Sequence, residues 1–321
     1  MNTLHIAIAA EFDLCEKITD FLAQSALEIE RLSIVEIYPF NEEQGVRYNN
    51  KAVAQLKVDE VEWSEFNYLL FAGNIDHIPH LAQAAEAGCV VVDMKGICST
   101  LSDVPVVVPT INDAQLIELR QRNIVSLPDP QVSQLALAIV DLVRKNPLDR
   151  LFVTSLLPAS YANDESIAQL AGQTARLLNG LPIEESQQRL AFDVFPLAVA
   201  NLTLQMEKIF PQLSNVVFHQ VRVPVFYGMS QMVTALSDYE LDTESLLAQW
   251  QTNELIQYEE ELITPVTNGE NENNEESVKL HIGNLNKREN GIEFWSVADE
   301  QRFNLALMSV RLMELIYRQG Y

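Results

Sequence analysis

IVSLPDPQVSQL, residues 124 to 135, decides the fold. A short β-branched run, Ile124 and Val125, meets a turn at Pro128 to Pro130 and then opens an amphipathic helix through Val132 and Leu135. A strand that feeds a helix across a tight turn is the repeating joint of an α/β fold, and ligands gather there because unpaired backbone N–H groups point outward. Asp129 suits the N-cap and Pro130 the first helical position. A cysteine on that first turn would have its pKa lowered by the helix terminus. Pro130 supplies neither a nucleophile nor a backbone donor, so the joint has the shape of a reactive elbow without a reactive group.

Working outward, the same joint recurs. HIAIAA (5–10) is an apolar run followed by Leu14, Ile18, Phe21 and Leu22 at helical spacing. LSIVEIY (32–38) and YLLFAG (68–73) read as strands, the second leading to an alanine-rich helix ending near Gly88. CVVVD (89–93) and PVVVP (105–109) follow as strands, then a helix through Leu116 and Leu119. Apolar strands alternating with helices predict a largely parallel sheet, the α/β class.

Beyond the helix over 131–144 strands predominate. RLFVTSLL (150–157), VVFHQVRVPVFYG (216–228), SVKLHIGNL (277–285) and GIEFWSVA (291–298) read as extended, and 165–180 as a helix closed by Gly180. A final helix is expected over 299–318, apolar all round and therefore buried.

With 321 residues, 48% of them hydrophobic, the chain can bury a core large enough for roughly two domains. Its 45 acidic residues against 21 basic ones give a net charge of −24, which repels nucleic acid and anionic membrane surfaces, so neither is expected as a partner. The sequence shows no signal-peptide pattern and no apolar run near the roughly 20 residues that span a bilayer, which gives a cytoplasmic expectation. Cys15, Cys89 and Cys98 are odd in number and lack C-x-x-C spacing, and are read as buried reduced thiols. The second half of 254–276, rich in Asn and Glu, is read as a mobile surface loop.

The order of segments and the strings VVVPTIN, GQTARLLNG, RLAFDVFP, QVRVPVFYG and WSVADEQRFNLAL resemble the aspartate-semialdehyde dehydrogenase family, and within it the Usg-type branch with an altered active site. The resemblance implies a Rossmann-type parallel-sheet domain over 1–128 and 299–321. It also implies an α+β dimerisation domain with a mixed sheet over 129–298. The family's chemistry is reduction of an aspartyl phosphate by NADPH, or its reverse, through a cysteine thioester assisted by a histidine. The cysteine of the family's N-C-S-T motif falls at Pro130, and the histidine seven residues after the substrate-binding arginine falls at Met229. A methionine cannot shuttle a proton.

Dinucleotide binding requires glycines after the first strand, and the family's three fall at Ala10, Asp13 and Glu16. With Glu11 they set three carboxylates where phosphates would sit, so NADP binding is expected to be lost. Asp13 and Glu16 are read as a capping box for the first helix. The asparagine and glycine that approach the nicotinamide fall at Glu300 and Asn304, the phosphate-binding arginine at Ser99 and the substrate glutamine at Leu157.

What remains of the cleft is Asp129, Ser160 and Arg222, with Gln173, Asn179 and Gly180 keeping a helix of the middle domain. Arg222 is read either as neutralising a carboxylate such as Asp129 or as binding a small anion. His219, three residues away on an extended segment, should face the other way. Cys98-Ser99-Thr100 copies the letters of the catalytic motif in the wrong place and is read as a decoy. Asp76, His77 and His80 form an incomplete metal set and are read as a loop leading into a helix. The expected protein is a pseudoenzyme without cofactor or metal, a homodimer through its middle domain or a mixed dimer with a dehydrogenase paralogue. The alternatives are an NAD(P)-dependent semialdehyde dehydrogenase, or altered chemistry on a small anionic metabolite.

Overall fold

The computed structural model describes residues 3–40, 45–198, 201–213, 215–272 and 278–321. The chain divides into two compact units, Met1–Ser133 with Asn304–Tyr321, and Gln134–Phe303. Both divisions fall inside helical stretches.

In the first unit β1 (Leu4–Ala9) leads into α1 (Phe12–Gln24), β2 (Ile29–Glu36), a small hairpin of β3 (Arg47–Tyr48) and β4 (Lys51–Ala52), and β5 (Ala54–Lys57). Then come β6 (Tyr68–Phe71), α2 (Ile78–Glu86), β7 (Val90–Asp93) and β8 (Ile124–Ser126). Six strands form a parallel sheet in the order β5-β2-β1-β6-β7-β8. β1 and β6 lie in its middle and are apolar on both faces, as a sheet covered on both sides requires. Burial of Ala7, Leu69, Phe71, Leu81, Ala84 and Val91 builds one side of the core.

PVVVP does not become a strand, since prolines at both ends remove ladder donors, and only an isolated bridge from Val106 to Ser126 forms. The segment around Leu116 and Leu119 winds as a 3-10 helix, Asp113–Gln121. Asp93, fully buried at the end of β7, ties this region together by accepting from Ser126 Oγ (2.6 Å), Cys98 N (2.8 Å) and Ile97 N (3.2 Å).

The opening joint takes the expected form. Pro130 begins α3 (Pro130–Lys145), and Asp129 Oδ1 accepts from Gln131 N at 2.9 Å, satisfying one of the orphan donors of the helix start.

The second unit holds β9 (Arg150–Leu157), α4 (Asp164–Leu178), β10 (Phe195–Pro196), α5 (Leu202–Ile209), β11 (Val216–Arg222) and β12 (Met229–Leu236). It continues through α6 (Thr243–Thr252), β13 (Ile256–Glu259), α7 (Pro265–Glu272), β14 (Leu280–Arg288) and β15 (Gly291–Ala298). Its seven strands form a mixed sheet, β10-β11-β9-β12-β15-β14-β13. The polar segment expected to be a loop is partly α7, because Asn268 is buried there and its N–H reaches Thr264 O at 2.8 Å; residues 273–277 lie outside those described. The last helix begins as a π-helical stretch, Glu300–Leu307, and continues as α8 (Met308–Arg318).

Candidate functional site

Strand register arranges the buried face of the mixed sheet in rows. Phe218, Val153, Val233 and Phe294 form an apolar row across β11, β9, β12 and β15. One step along lies a polar row of Gln220, Ser155, Gln231 and Ser296, all buried. Gln231 Nε2 donates to Ser155 Oγ at 3.2 Å, and Gln134 of α3 donates to Ser296 Oγ at 3.0 Å. The next row is the one that matters: Arg222 on β11 pairs with Leu157 on β9, and Met229 pairs with Ala298. Met229 is fully buried in this apolar surround, a core filler with no group to move a proton. His219 lies exposed, where alternation placed it.

Arg222 is half-buried. Among the described residues its Nε finds no hydrogen-bond partner, and burial depresses its pKa against a partial offset from Tyr161.

Above the row, the chain after β9 turns through Ala159–Tyr161 and is zipped to the segment after β11. Ala159 N donates to Val225 O at 2.8 Å and Ser160 N to Phe226 O at 3.0 Å. The hydroxyl of Ser160 meets Glu300 Oε1, and Gly228 N donates to Glu300 Oε2 at 3.2 Å. Gly228 adopts a φ of +90°, and a Cβ there would lie 2.8 Å from Pro265 Cβ, so only glycine brings this N–H to the carboxyl. Glu300 is 1% exposed. Burial first, and the Asp299 charge second, push its pKa up to about 8, so the carboxyl is largely neutral near pH 7. Sequence reading treats Glu300 only as a lost asparagine. Its contact with Ser160 spans 140 residues, and no local pattern announces it.

In the first unit the carboxyl ends of β1, β2 and β6 are where a dinucleotide would lie. Ala10 is fully buried and α1 starts at Phe12, two residues earlier than an Asp13–Glu16 capping box would need; Glu11 is the N-cap and makes no side-chain cap bond. The Asp13–Glu16 box therefore does not form. Glu16 instead has its pKa raised by burial and by the Asp13 and Asp20 charges. Phe12 packs edge-on against Phe40 with ring centres 5.4 Å apart, and Tyr38 likewise against His77 at 4.9 Å. Burial and then the Glu11 charge push the Tyr38 pKa to about 12.

These residues do not fit a pyrophosphate. A phosphate within about 4 Å of one of these carboxylates would be opposed by roughly 4 kcal/mol at an effective dielectric near 20. Asn304, also in this unit, is buried and donates to Pro130 O at 3.3 Å, setting a side chain where the resemblance implies a glycine beside the nicotinamide.

The other nucleophiles and ligands are accounted for. Cys15, Cys89 and Cys98 are buried and their thiols pushed to about 12, chiefly by desolvation. His77 Nδ1 accepts from Asn74 N at 3.2 Å, closing a capping box. Among the described residues no group of three His, Cys, Asp or Glu is placed to hold a metal ion. No helix among them is long and apolar enough to cross a membrane. Of the expected remnant, Ser160 and Arg222 lie in the second unit and Asp129 in the first.

No protein-family model matches the chain. A protein of Haemophilus influenzae described as "USG-1 protein homolog" is 63% identical over 319 residues, covering 99% of both chains. An aspartate-semialdehyde dehydrogenase of a Shewanella species is 31% identical over 298 residues, 86% of each chain. Among solved structures, aspartate semialdehyde dehydrogenase II of Vibrio cholerae superimposes with a TM-score of 0.90 at 27% identity over 100% of both chains. With this identity over most of the chain and this superposition, the chain belongs to the aspartate-semialdehyde dehydrogenase family.

Proposed function

We propose that this protein is a non-catalytic member of its family, a pseudoenzyme that acts through binding surfaces. The observation that carries the reading is Pro130. It stands as the first residue of α3 where the family has its thiolate, and it has no atom that can attack a carbonyl. Two independent features support it. Met229 fills the histidine position from within an apolar row, and carboxylates and aromatic rings furnish the nucleotide end of the first sheet. Titration of the protein with NADPH, followed by nicotinamide fluorescence, tests the nucleotide part. No saturable binding is expected, and tight binding overturns it.

The surface through which it acts is the outer face of the mixed sheet. Val217 is 40% exposed and Met232 53% exposed there, and His219 lies beside them on β11. Such a face supports a homodimer through this unit, or a mixed dimer with a dehydrogenase paralogue. Sedimentation equilibrium should give twice the 36.2 kDa chain mass. A strict monomer contradicts the homodimer.

A further inference from the structure

We propose that Glu300 is the chain's own carboxyl ligand: it fills, in cis, a closed subsite built from the Ser160 hydroxyl and the Gly228 N–H, a subsite that accepts small carboxylates when Glu300 is removed. This rests on the reading that the second unit no longer handles substrate, and names what has taken the place of a ligand there.

The site is built rather than incidental. Both oxygens of Glu300 are engaged, Oε1 by Ser160 Oγ and Oε2 by Gly228 N. The backbone of Ser160 is held on both sides: its N–H donates to Phe226 O, and its carbonyl accepts from Gln301 Nε2 at 3.4 Å, which sets its Cβ beside the carboxyl that its hydroxyl meets. Gly228 is held by its positive φ and the ring of Pro265 packed against it. Ser160 and Glu300 are each at least nine-tenths buried, and Gly228 is buried too.

Asp299, the charged neighbour acting on Glu300, is turned to other work: its Oδ1 caps the following helix by accepting from Gln301 N and Arg302 N, both at 2.9 Å. A hydroxyl and an N–H, closed from water and matched to the two oxygens of one carboxyl, form a subsite for a carboxyl group, which burial favours in its protonated form. Glu300 reaches it without translational cost because it is tethered. An external carboxylate therefore enters only when the side chain is gone.

Formate provides the test at about pH 5, where uptake of a proton along with the ligand is favoured over neutral pH, with chloride at equal ionic strength as the control. Thermal unfolding of the full chain is followed for the wild type, Glu300→Gln and Glu300→Ala. Formate is expected to raise the Tm of Glu300→Ala beyond the chloride value, and to leave the wild type and Glu300→Gln at theirs, since both keep the subsite filled. No specific rise in Glu300→Ala, or an equal rise in all three, overturns the proposal.

Should Glu300→Ala fail to fold, Glu300→Ser, whose shorter side chain also vacates the subsite while keeping a polar group, is taken through the same formate and chloride series. The same formate-specific rise is expected, and its absence overturns the proposal. Formate reads only the subsite and NADPH only the nucleotide end, so either can fail alone.

Discussion

At the scale of single residues, burial sets the chemistry. Glu300 ordinarily titrates near 4.5 and is held at about 8 in the fold. The folded state thus keeps a proton that the unfolded chain releases. The Glu300 contribution is therefore fully present below pH 4.5 and is lost as pH rises to about 8, with a slope of about 1.4 kcal/mol per pH unit, levelling off above. Urea unfolding of the wild type and Glu300→Gln across this range should show the difference, with the variant gaining on the wild type as pH rises. Parallel pH profiles would contradict it. Asp129 makes a simpler case: with Oδ1 capping Gln131 N, Asp129→Ala should cost about 1 kcal/mol by urea titration.

At the scale of elements, the polar row on the mixed sheet sets register. Gln231 opposes Ser155 on one side and Ser296 on the other, and slipping either neighbour by one residue would bury apolar side chains against these amides. Gln231→Leu should cost about 1–3 kcal/mol by leaving the Ser155 hydroxyl without its donor. Adding Ser155→Ala should recover a large part of that, and a fully additive double-mutant cycle would show the pair to be uncoupled.

Elements whose pattern is local were legible in the sequence. RLFVTSLL and GIEFWSVA coincide with β9 and β15 because apolar alternation alone specifies a strand packed on one face. Elements decided by distant contacts were not. α7 has a polar sequence and its place is fixed by burial of Asn268, while PVVVP has strand composition but lacks donors at its ends. The same division holds in the site. Pro130, Met229 and the missing glycines are read directly from the sequence and the family resemblance, whereas the Glu300 contact exists only once β9, the turn at Gly228 and the last helical stretch have come together.

At the scale of the whole molecule, the architecture of the dehydrogenase family is kept, and on the proposed non-catalytic reading the groups that run the reaction are replaced at several separate places. Restoring only some of them should therefore restore nothing. A Pro130→Cys and Met229→His double variant should still lack NADP-dependent turnover, because Glu11, Asp13 and Glu16 remain at the nucleotide end. The most direct measurement is steady-state assay of the purified wild-type chain with aspartate semialdehyde, phosphate and NADP, following NADPH absorbance. No turnover above the no-protein control is expected. Saturable turnover that co-purifies with the chain and falls in an Arg222→Ala variant would contradict the non-catalytic reading.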